Sequence, residues 1–236
     1  RPAGAPPPGG AGLVRVGILA LQGGVVEHAR LVDALGHDAV LVRRPEQLAD
    51  VGALILPGGE STALLRLADL TGLREPLKRA AGRLPTLGTC AGLIMLAALG
   101  VLDVDVERNA FGPQVDSASA DLQWRGRELR AAFIRAPAIT RVGPGVTVCS
   151  TYADPARPGR PPYVVGVEEG GVMAVSYHPE LTGDATLHRL LLARGLREAA
   201  LGRSETARPG LAGAGNTACA EAPSFSAGAL TDTLLP

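Results

Sequence analysis

The sequence predicts an α/β fold, with an open and mostly parallel sheet flanked by helices. Apolar segments of strand length alternate with helical patterns over residues 13–98. Such alternation is typical of parallel strands connected by helices on both faces of the sheet. The first apolar segment, residues 14–21, is continuous enough for a strand buried inside the sheet. Beyond residue 103 the pattern changes to short β-rich segments, which favour antiparallel additions to the same sheet.

Each element of the first half has its own boundary signals. The first strand ends at the Gly23-Gly24 turn, and the helix that follows ends at Gly36. The third apolar segment stops at the sequence Pro-Gly-Gly, after which a helical pattern resumes. The strands are predicted at 14–21, 39–42, 53–56 and 85–88, and the helices at 25–35, 62–70 and 91–98.

The second half is expected to complete one domain. Its β-rich segments are predicted at 104–106, 128–134, 146–150, 163–167 and 173–177, and a last helix at 186–196. Residues 1–12 and 198–236 are rich in small and turn-forming residues, with little apolar surface to bury, so we expect both segments to be disordered. The folded domain is therefore predicted to span residues 13–197.

The composition excludes several classes of function. Lys plus Arg and Asp plus Glu number 23 each, so no net charge favours nucleic acid or anionic lipid. The three cysteines, Cys90, Cys149 and Cys219, are far apart and lack the spacing of a zinc site or a disulfide framework. A reducing compartment fits them best. We therefore expect a cytoplasmic protein without a membrane span or a structural metal.

Cys90 is the first candidate for chemistry. It stands in the sequence Gly88-Thr89-Cys90-Ala91-Gly92, where a predicted strand turns into a helix. This pattern is a nucleophile elbow: the tight turn projects a small nucleophile above the sheet, and the helix N-terminus favours its thiolate. Alone, the pattern also fits a buried structural cysteine in an ordinary turn.

His178 and Glu180 provide the partners that a nucleophilic cysteine requires. Side chains two residues apart on an extended segment project to the same side, so the carboxylate of Glu180 could orient the imidazole of His178. Taken alone, the pair also fits a surface loop. The other histidines, His28, His37 and His188, lie on predicted helices or their ends, where solvated or packing roles fit better. His178 is therefore the predicted base.

The loop Pro57-Gly58-Gly59-Glu60-Ser61 follows a predicted strand and opens a helix. Its backbone N–H groups could receive a developing oxyanion, and glycine permits a close approach of the substrate. The loop also fits a phosphate cradle or a plain turn, because it matches neither GxGxxG nor a Walker loop. Whether this loop acts as an oxyanion hole therefore depends on whether Cys90 is a nucleophile.

Seven motifs together resemble one family. They are LALQG (19–23), RPEQL (44–48), LPGGEST (56–62), GTCAG (88–92), ERNAFG (107–112), FIRAP (133–137) and HPELT (178–182). In this order they resemble the glutaminase subunits of pyridoxal 5'-phosphate synthase, which are triad (class I) glutamine amidotransferases with a flavodoxin-like sheet. The resemblance covers about residues 14–196.

The resemblance implies a role for each matching residue. Cys90 would attack the side-chain amide of L-glutamine, His178 would carry protons, and Glu180 would hold His178. The backbone N–H groups of Gly59 and Ala91 would form the oxyanion hole. The residues that would bind glutamine are Gly59, Glu60, Ser61, Arg108, Ile134 and Arg135.

The resemblance also implies partners. The ammonia released would pass to the ring-forming synthase subunit, with Gln22 at the interface between the two subunits. No metal or organic cofactor is required for this chemistry. Two alternatives remain open: a glutaminase subunit of another amidotransferase, and a catalytically silent regulatory subunit with the same fold.

The sequence departs from the family pattern at several places, and the connection between GTCAG (88–92) and ERNAFG (107–112) is shorter than usual for the family. Pro113-Gln114 and Ala118 stand where the family has other residues, and Glu168-Glu169 stand where it often has a basic or amide residue. None of these positions belongs to the predicted triad. We expect these departures to affect loop detail or partner contacts.

Overall fold

The computed structural model describes residues 12–108, 118–155 and 158–206. The strands are β1 (Arg15–Leu19), β2 (Asp38–Val42), β3 (Ala53–Leu56), β4 (Thr86–Thr89), β5 (Val104–Glu107), β6 (Ala118–Trp124), β7 (Arg127–Phe133), β8 (Ala138–Val142), β9 (Thr147–Tyr152), β10 (Tyr163–Glu169) and β11 (Val172–Val175). The helices are α1 (Val25–Ala34), α2 (Ser61–Leu70), α3 (Arg74–Ala81), α4 (Ala91–Ala98) and α5 (Thr186–Thr206). Short 3-10 turns cover Pro45–Leu48 and Glu180–Thr182.

The main sheet runs in the order β2-β1-β3-β4-β11-β10-β8-β5. The five strands from β2 to β11 are parallel to their neighbours, and the strands beyond them pair antiparallel. Strand β9 pairs antiparallel with β10, and β6 and β7 form a separate hairpin. The predicted fold class and the predicted antiparallel additions are confirmed.

Both faces of the central strands are buried, which explains their continuous apolar sequences. In β3, Ala53 and Ile55 belong to one core cluster, and Leu54 and Leu56 belong to the other. The first cluster packs the sheet against α1, α5 and the β6–β7 hairpin, and the second packs it against α2, α3 and α4. With helices on both faces, the carboxyl ends of β3, β4 and β11 are left free to carry a site.

Some elements differ from those predicted. Helix α3 was missed, because its charged sequence buries only Leu77, Ala80 and Ala81. Strands β6 and β8 were also missed. Helix α5 continues to Thr206, so the structure places nine residues of the predicted tail in a helix. The rest of that tail, and the predicted disordered segment apart from Gly12, lie outside the described residues.

Nowhere in the described ranges is a helix both long and apolar enough to cross a membrane.

Candidate active site

Cys90 lies at the point where β4 turns into α4. Its backbone adopts φ 49° and ψ −102°, in the positive-φ region that residues other than glycine seldom occupy. The neighbouring glycines permit this turn, because a Cβ on Gly92 would lie 2.8 Å from the carbonyl carbon of Leu56 and one on Gly88 would lie 2.9 Å from that of Gly92. Helix α4 therefore packs directly against β3. The predicted elbow is present.

The carboxyl end of β11 brings His178 to Cys90. The Cys90 N–H donates to the Val175 carbonyl oxygen at 2.8 Å. Beyond β11, His178 forms a two-way backbone bridge with Ala132 of β7, with N···O distances of 2.8 and 3.1 Å. The imidazole is thus fixed from the main sheet and from the β6–β7 hairpin.

His178 and Glu180 meet, but not by the predicted geometry. The extended alternation predicted for this segment is wrong, because β11 ends at Val175, Pro179 has helical angles (φ −68°, ψ −30°) and Glu180 begins a 3-10 turn. This bend turns the Glu180 carboxylate back toward the imidazole. The Nδ1–H of His178 donates to Glu180 Oε1 at 2.7 Å, with both residues buried.

The electrostatics of the site hold a proton on His178. Burial lowers the pKa of His178, but hydrogen bonds to Cys90 and Glu180, together with electrostatic interactions with both groups, outweigh burial and raise it from 6.5 to about 10. Burial raises the pKa of Glu180, but electrostatic interactions with His28 and His178 and the His178 hydrogen bond outweigh burial and lower that pKa. An ionised Glu180 therefore faces Nδ1 of His178, which leaves Nε2 for the hydrogen bond to the Cys90 sulfur.

The Gly58–Gly59 peptide lies beside this imidazole. The Gly58 N–H donates to Thr89 Oγ1 at 3.0 Å, and the Gly58 carbonyl accepts from the Gly24 N–H at 3.0 Å. Because a trans peptide projects its two polar groups in opposite directions, the Gly59 N–H points away from Gly24. Ala91 is the first residue of α4, so its N–H has no acceptor within the helix and is available to a ligand.

The segment that follows holds the loop in place. The Glu60 carboxylate caps α2, accepting from Thr62 N at 3.1 Å and Ala63 N at 2.6 Å, and these two hydrogen bonds lower its pKa. Gln22 donates from Nε2 to the Glu60 carbonyl at 3.0 Å. Gln22 therefore touches the Gly59-Glu60 segment from the LALQG loop.

A cavity of about 490 Å³ opens above Cys90. The predicted site residues all line it except Gln22: Gly59, Glu60, Ser61, Cys90, Ala91, Arg108, Ile134, Arg135, His178 and Glu180. At its rim, Arg108 donates from a guanidinium nitrogen to Thr62 Oγ1 at 3.0 Å. Arg135 is exposed and has a φ of 43°, so both guanidinium groups are at hand for a ligand that carries a carboxylate.

A larger cavity of about 930 Å³ lies elsewhere, between the β6–β7 hairpin and β9. It is lined by Arg125, Cys149 and Ser150 among others, and Cys149 Sγ accepts from Arg125 Nε at 3.2 Å. Burial raises the pKa of the Cys149 thiol. No histidine lines this cavity among the described residues, so the smaller cavity is the candidate active site.

The departures from the family pattern have local explanations where they are described. Glu168 pairs with Arg194 at 2.9 Å and with Arg125 at 3.5 Å, and Glu169 Oε2 accepts from the Asp103 N–H at 2.8 Å. The two glutamates therefore anchor neighbouring segments away from the cavity. Pro113-Gln114 lies outside the described residues, and Ala118 begins β6.

The sequence reasoning missed His28 and His188, for which solvated or packing roles were expected. Both are fully buried: His28 lies 3.6 Å from Glu180 Oε1, and His188 contacts His28. The available signal was helical spacing, since His28 falls between Val25 and Val32 on the face of α1 that packs on the core. A polar ring on that face requires a buried partner.

Comparison with known proteins agrees with this geometry. Residues 18–195 match the model of the SNO glutamine amidotransferase family. The chain is 48% identical over 194 residues to "Pyridoxal 5'-phosphate synthase subunit PdxT" of Acidothermus cellulolyticus, covering 76% of this chain and 92% of that protein. It is 48% identical over 199 residues to the protein of the same name from Leifsonia xyli, covering 78% and 97%.

Solved structures of other proteins are also similar to this chain. A crystal structure of a glutamine amidotransferase is similar with a TM-score of 0.69 and 42% identity, covering 76% of this chain and 98% of that one. A chain of the PurLQS structure from Thermotoga maritima has a TM-score of 0.57 at 17% identity, covering 81% and 99%. The second likeness concerns the fold alone.

Proposed function

The chain belongs to the SNO glutamine amidotransferase family, and on that premise we propose that it hydrolyses L-glutamine to L-glutamate and ammonia with Cys90, His178 and Glu180 as its catalytic triad. The observation that carries this proposal is the contact of His178 with both Cys90 and Glu180 at the base of the 490 Å³ cavity. A nucleophile, a proton carrier and an orienting carboxylate are the three roles that such acyl transfer requires.

The reaction proceeds in two steps. The Cys90 sulfur attacks the side-chain amide carbon of glutamine, and the Gly59 and Ala91 N–H groups stabilise the resulting oxyanion. His178 donates its proton to the departing nitrogen, which leaves as ammonia, and a γ-glutamyl thioester remains on Cys90. His178 then takes a proton from water, and the hydroxide attacks the thioester. Glutamate leaves, the Cys90 sulfur is released as a thiolate, and His178 keeps the proton for the next cycle.

Residues at the rim of the cavity bind the substrate. Arg108 and Arg135 carry the charge that the α-carboxylate of glutamine needs, and a guanidinium can bind it through two N–H groups. Glu60, Ser61 and Ile134 shape the neighbouring wall. The Glu60 carboxylate is already used in capping α2, so its contribution to binding comes through the loop that it fixes.

The ammonia is delivered to a partner. Because ammonia is protonated in bulk water and then no longer acts as a nucleophile, a glutaminase of this kind needs a docked acceptor with a sheltered path. The relatives at 48% identity are subunits of pyridoxal 5'-phosphate synthase, so the partner is its ring-forming synthase subunit and the product serves vitamin B6 biosynthesis. The cytoplasmic location predicted from the cysteines belongs to this proposal.

The loop geometry supports a switch operated by that partner. A rotation of the Gly58–Gly59 peptide would withdraw the Gly59 N–H from the oxyanion and would break the Gly24–Gly58 hydrogen bond, at about 0.5–1.5 kcal/mol. Losing the oxyanion donor costs about 100- to 1000-fold in rate. Gln22 contacts the adjacent Glu60 carbonyl, so docking at Gln22 would reach this peptide directly.

The test is glutamate production by the isolated chain and then with increasing synthase subunit. We expect a low rate that rises with the partner, and no activity in Cys90→Ala under either condition. Cys149→Ala is the matched control, because Cys149 is also a buried free cysteine but lies in the other cavity. Hydrolysis by Cys90→Ala would refute the nucleophile, and no hydrolysis by the parent chain with its partner would favour a silent subunit.

A further inference from the structure

A pair of buried histidines extends from the carboxylate of the proposed triad. Nε2 of His28 lies 3.6 Å from Glu180 Oε1 and 3.2 Å from Thr89 Oγ1. Nδ1 of the same ring lies 2.8 Å from Nε2 of His188. Both rings are fully buried, and in the described ranges no group of His, Cys, Asp or Glu has the arrangement of a metal site.

Burial favours the neutral form of both rings. Burial lowers the pKa of His28, and it lowers that of His188 to about 3, with repulsion from His28 adding to the effect. Each neutral imidazole has a proton on one ring nitrogen and a lone pair on the other. The hydrogen bonds of the two nitrogens decide which of them carries the proton. The two rings therefore share a single pattern of protonation.

His188 selects that pattern. Its Nδ1 is buried with no hydrogen-bond partner in the described structure, and an orphaned buried N–H is rarer in proteins than an unused acceptor. The proton of His188 then lies on Nε2 and is donated to Nδ1 of His28. His28 consequently carries its proton on Nε2, where the N–H faces Thr89 Oγ1 and the Glu180 carboxylate. The opposite tautomer would turn a lone pair toward that negative charge.

We propose that His28 is a positioning residue of the glutaminase reaction, whose Nε2–H aligns the Glu180 carboxylate and the Thr89 hydroxyl while His188 fixes its tautomer. Thr89 Oγ1 accepts the Gly58 N–H at 3.0 Å, and Glu180 orients His178. One imidazole N–H therefore joins the triad to the oxyanion loop. The role rests on the proposed glutaminase function, because both groups that His28 aligns act in that reaction.

The first test reads the tautomer in the intact chain. Nitrogen-15 NMR of the histidine rings distinguishes Nε2–H from Nδ1–H. We expect a neutral ring with its proton on Nε2 for His28, and the same for His188. A proton on Nδ1 of His28, or a charged His28 at neutral pH, would overturn the proposal without any variant.

The second test compares two substitutions that keep different halves of the ring. In His28→Gln the side-chain amide reaches the position of Nε2, so it can still donate to Thr89 Oγ1 and present an N–H to the Glu180 carboxylate. In His28→Asn the shorter amide reaches only the position of Nδ1, so the contact with His188 is kept and the donor is lost. With the synthase subunit bound, we expect kcat to fall about tenfold or more in His28→Asn and by less than about threefold in His28→Gln, with little change in KM.

The controls separate this proposal from a packing role and from the proposed function itself. His37→Gln should keep the parent kcat, because His37 accepts the Val14 N–H away from the cavity. Equal losses in His28→Gln and His28→Asn, or a loss confined to KM, would overturn the positioning role. If the parent is active, Cys90→Ala is inactive and both His28 variants keep the parent kcat, only this inference fails. If the parent itself is inactive, the glutaminase assignment fails.

Discussion

Gly58→Ala should disable the site while leaving the fold in place. A Cβ at Gly58 would lie 2.8 Å from Nδ1 of His178 and 3.2 Å from Nε2, and closer still to Cε1. Ordinary van der Waals contact begins at 3.4 Å, so Nδ1 alone must move by about 0.6 Å. A shift of this size breaks the 2.7 Å hydrogen bond to Glu180 and displaces the ring from Cys90.

The expected loss is about 100-fold in glutamate production, because misplacing a catalytic group by about 1 Å costs a factor of this order. The thermal midpoint should fall by only a few degrees, since His178 can swing into the cavity. The matched control is Gly24→Ala, which lines the same cavity but would bring its Cβ no nearer than 3.5 Å to Glu180.

The assay is steady-state glutamate production with saturating synthase subunit, accompanied by iodoacetamide labelling of Cys90 in the isolated chain. Labelling requires no partner, so it separates damage to the triad from damage to docking. The geometric reasoning is refuted if Gly58→Ala keeps more than a third of the parent rate, or if Gly24→Ala loses as much activity as Gly58→Ala.

The remaining predictions concern the triad, its pH dependence, the tail and the partner interface. His178→Asn should reduce kcat by at least about 1000-fold, because it removes the proton carrier. Glu180→Gln should reduce kcat by less, because it removes only the group that orients this carrier. Equal losses would contradict these roles. The raised pKa of His178 adds stability that is fully present below pH 6.5 and is lost as the pH rises to about 10. The difference in urea midpoint between the parent and His178→Asn should therefore shrink over that interval. A difference that widens would contradict the direction of the pKa shift. Truncation after residue 198 should change the thermal midpoint by less than about 2 °C and leave activity intact, because residues 198–201 of α5 are exposed; a larger fall would show that the removed residues pack. Gln22→Ala should weaken activation by the synthase subunit but not iodoacetamide labelling of Cys90, and activation equal to that of the parent would remove Gln22 from the switch.

Local signals in the sequence were enough to find the elbow and its partners. Cys90 between glycines at a strand end is a pattern of five residues, so it can be found in the sequence without knowledge of any distant contact. The pairing of His178 with Glu180 was also predicted correctly. The way in which they meet was not, because the bend at Pro179 depends on the bridge between His178 and Ala132, which lies on a strand 46 positions earlier in the chain.

Contacts between distant segments could not be predicted from the sequence, because they depend on residues that are far apart along the chain. The contact of His28 with His188 joins residues 160 positions apart, and no local pattern reports it. Helix α3 was missed because most of its surface is solvated, so the spacing of Leu77, Ala80 and Ala81 was too short a signal. Helix α5 extends beyond residue 197 because exposed residues without apolar spacing can still continue a helix that is anchored upstream.

The pairing of β4 with β11 has a consequence for synthesis on the ribosome. Cys90 precedes His178 by 88 positions, and the Val175 carbonyl that holds the Cys90 amide comes almost as late. At about 5–20 residues per second, about 4–18 s of translation separate the nucleophile from its proton carrier. During that interval the cysteine has emerged without the imidazole that would serve it. The nascent chain therefore cannot assemble the proposed triad until His178 and Glu180 have also been synthesised.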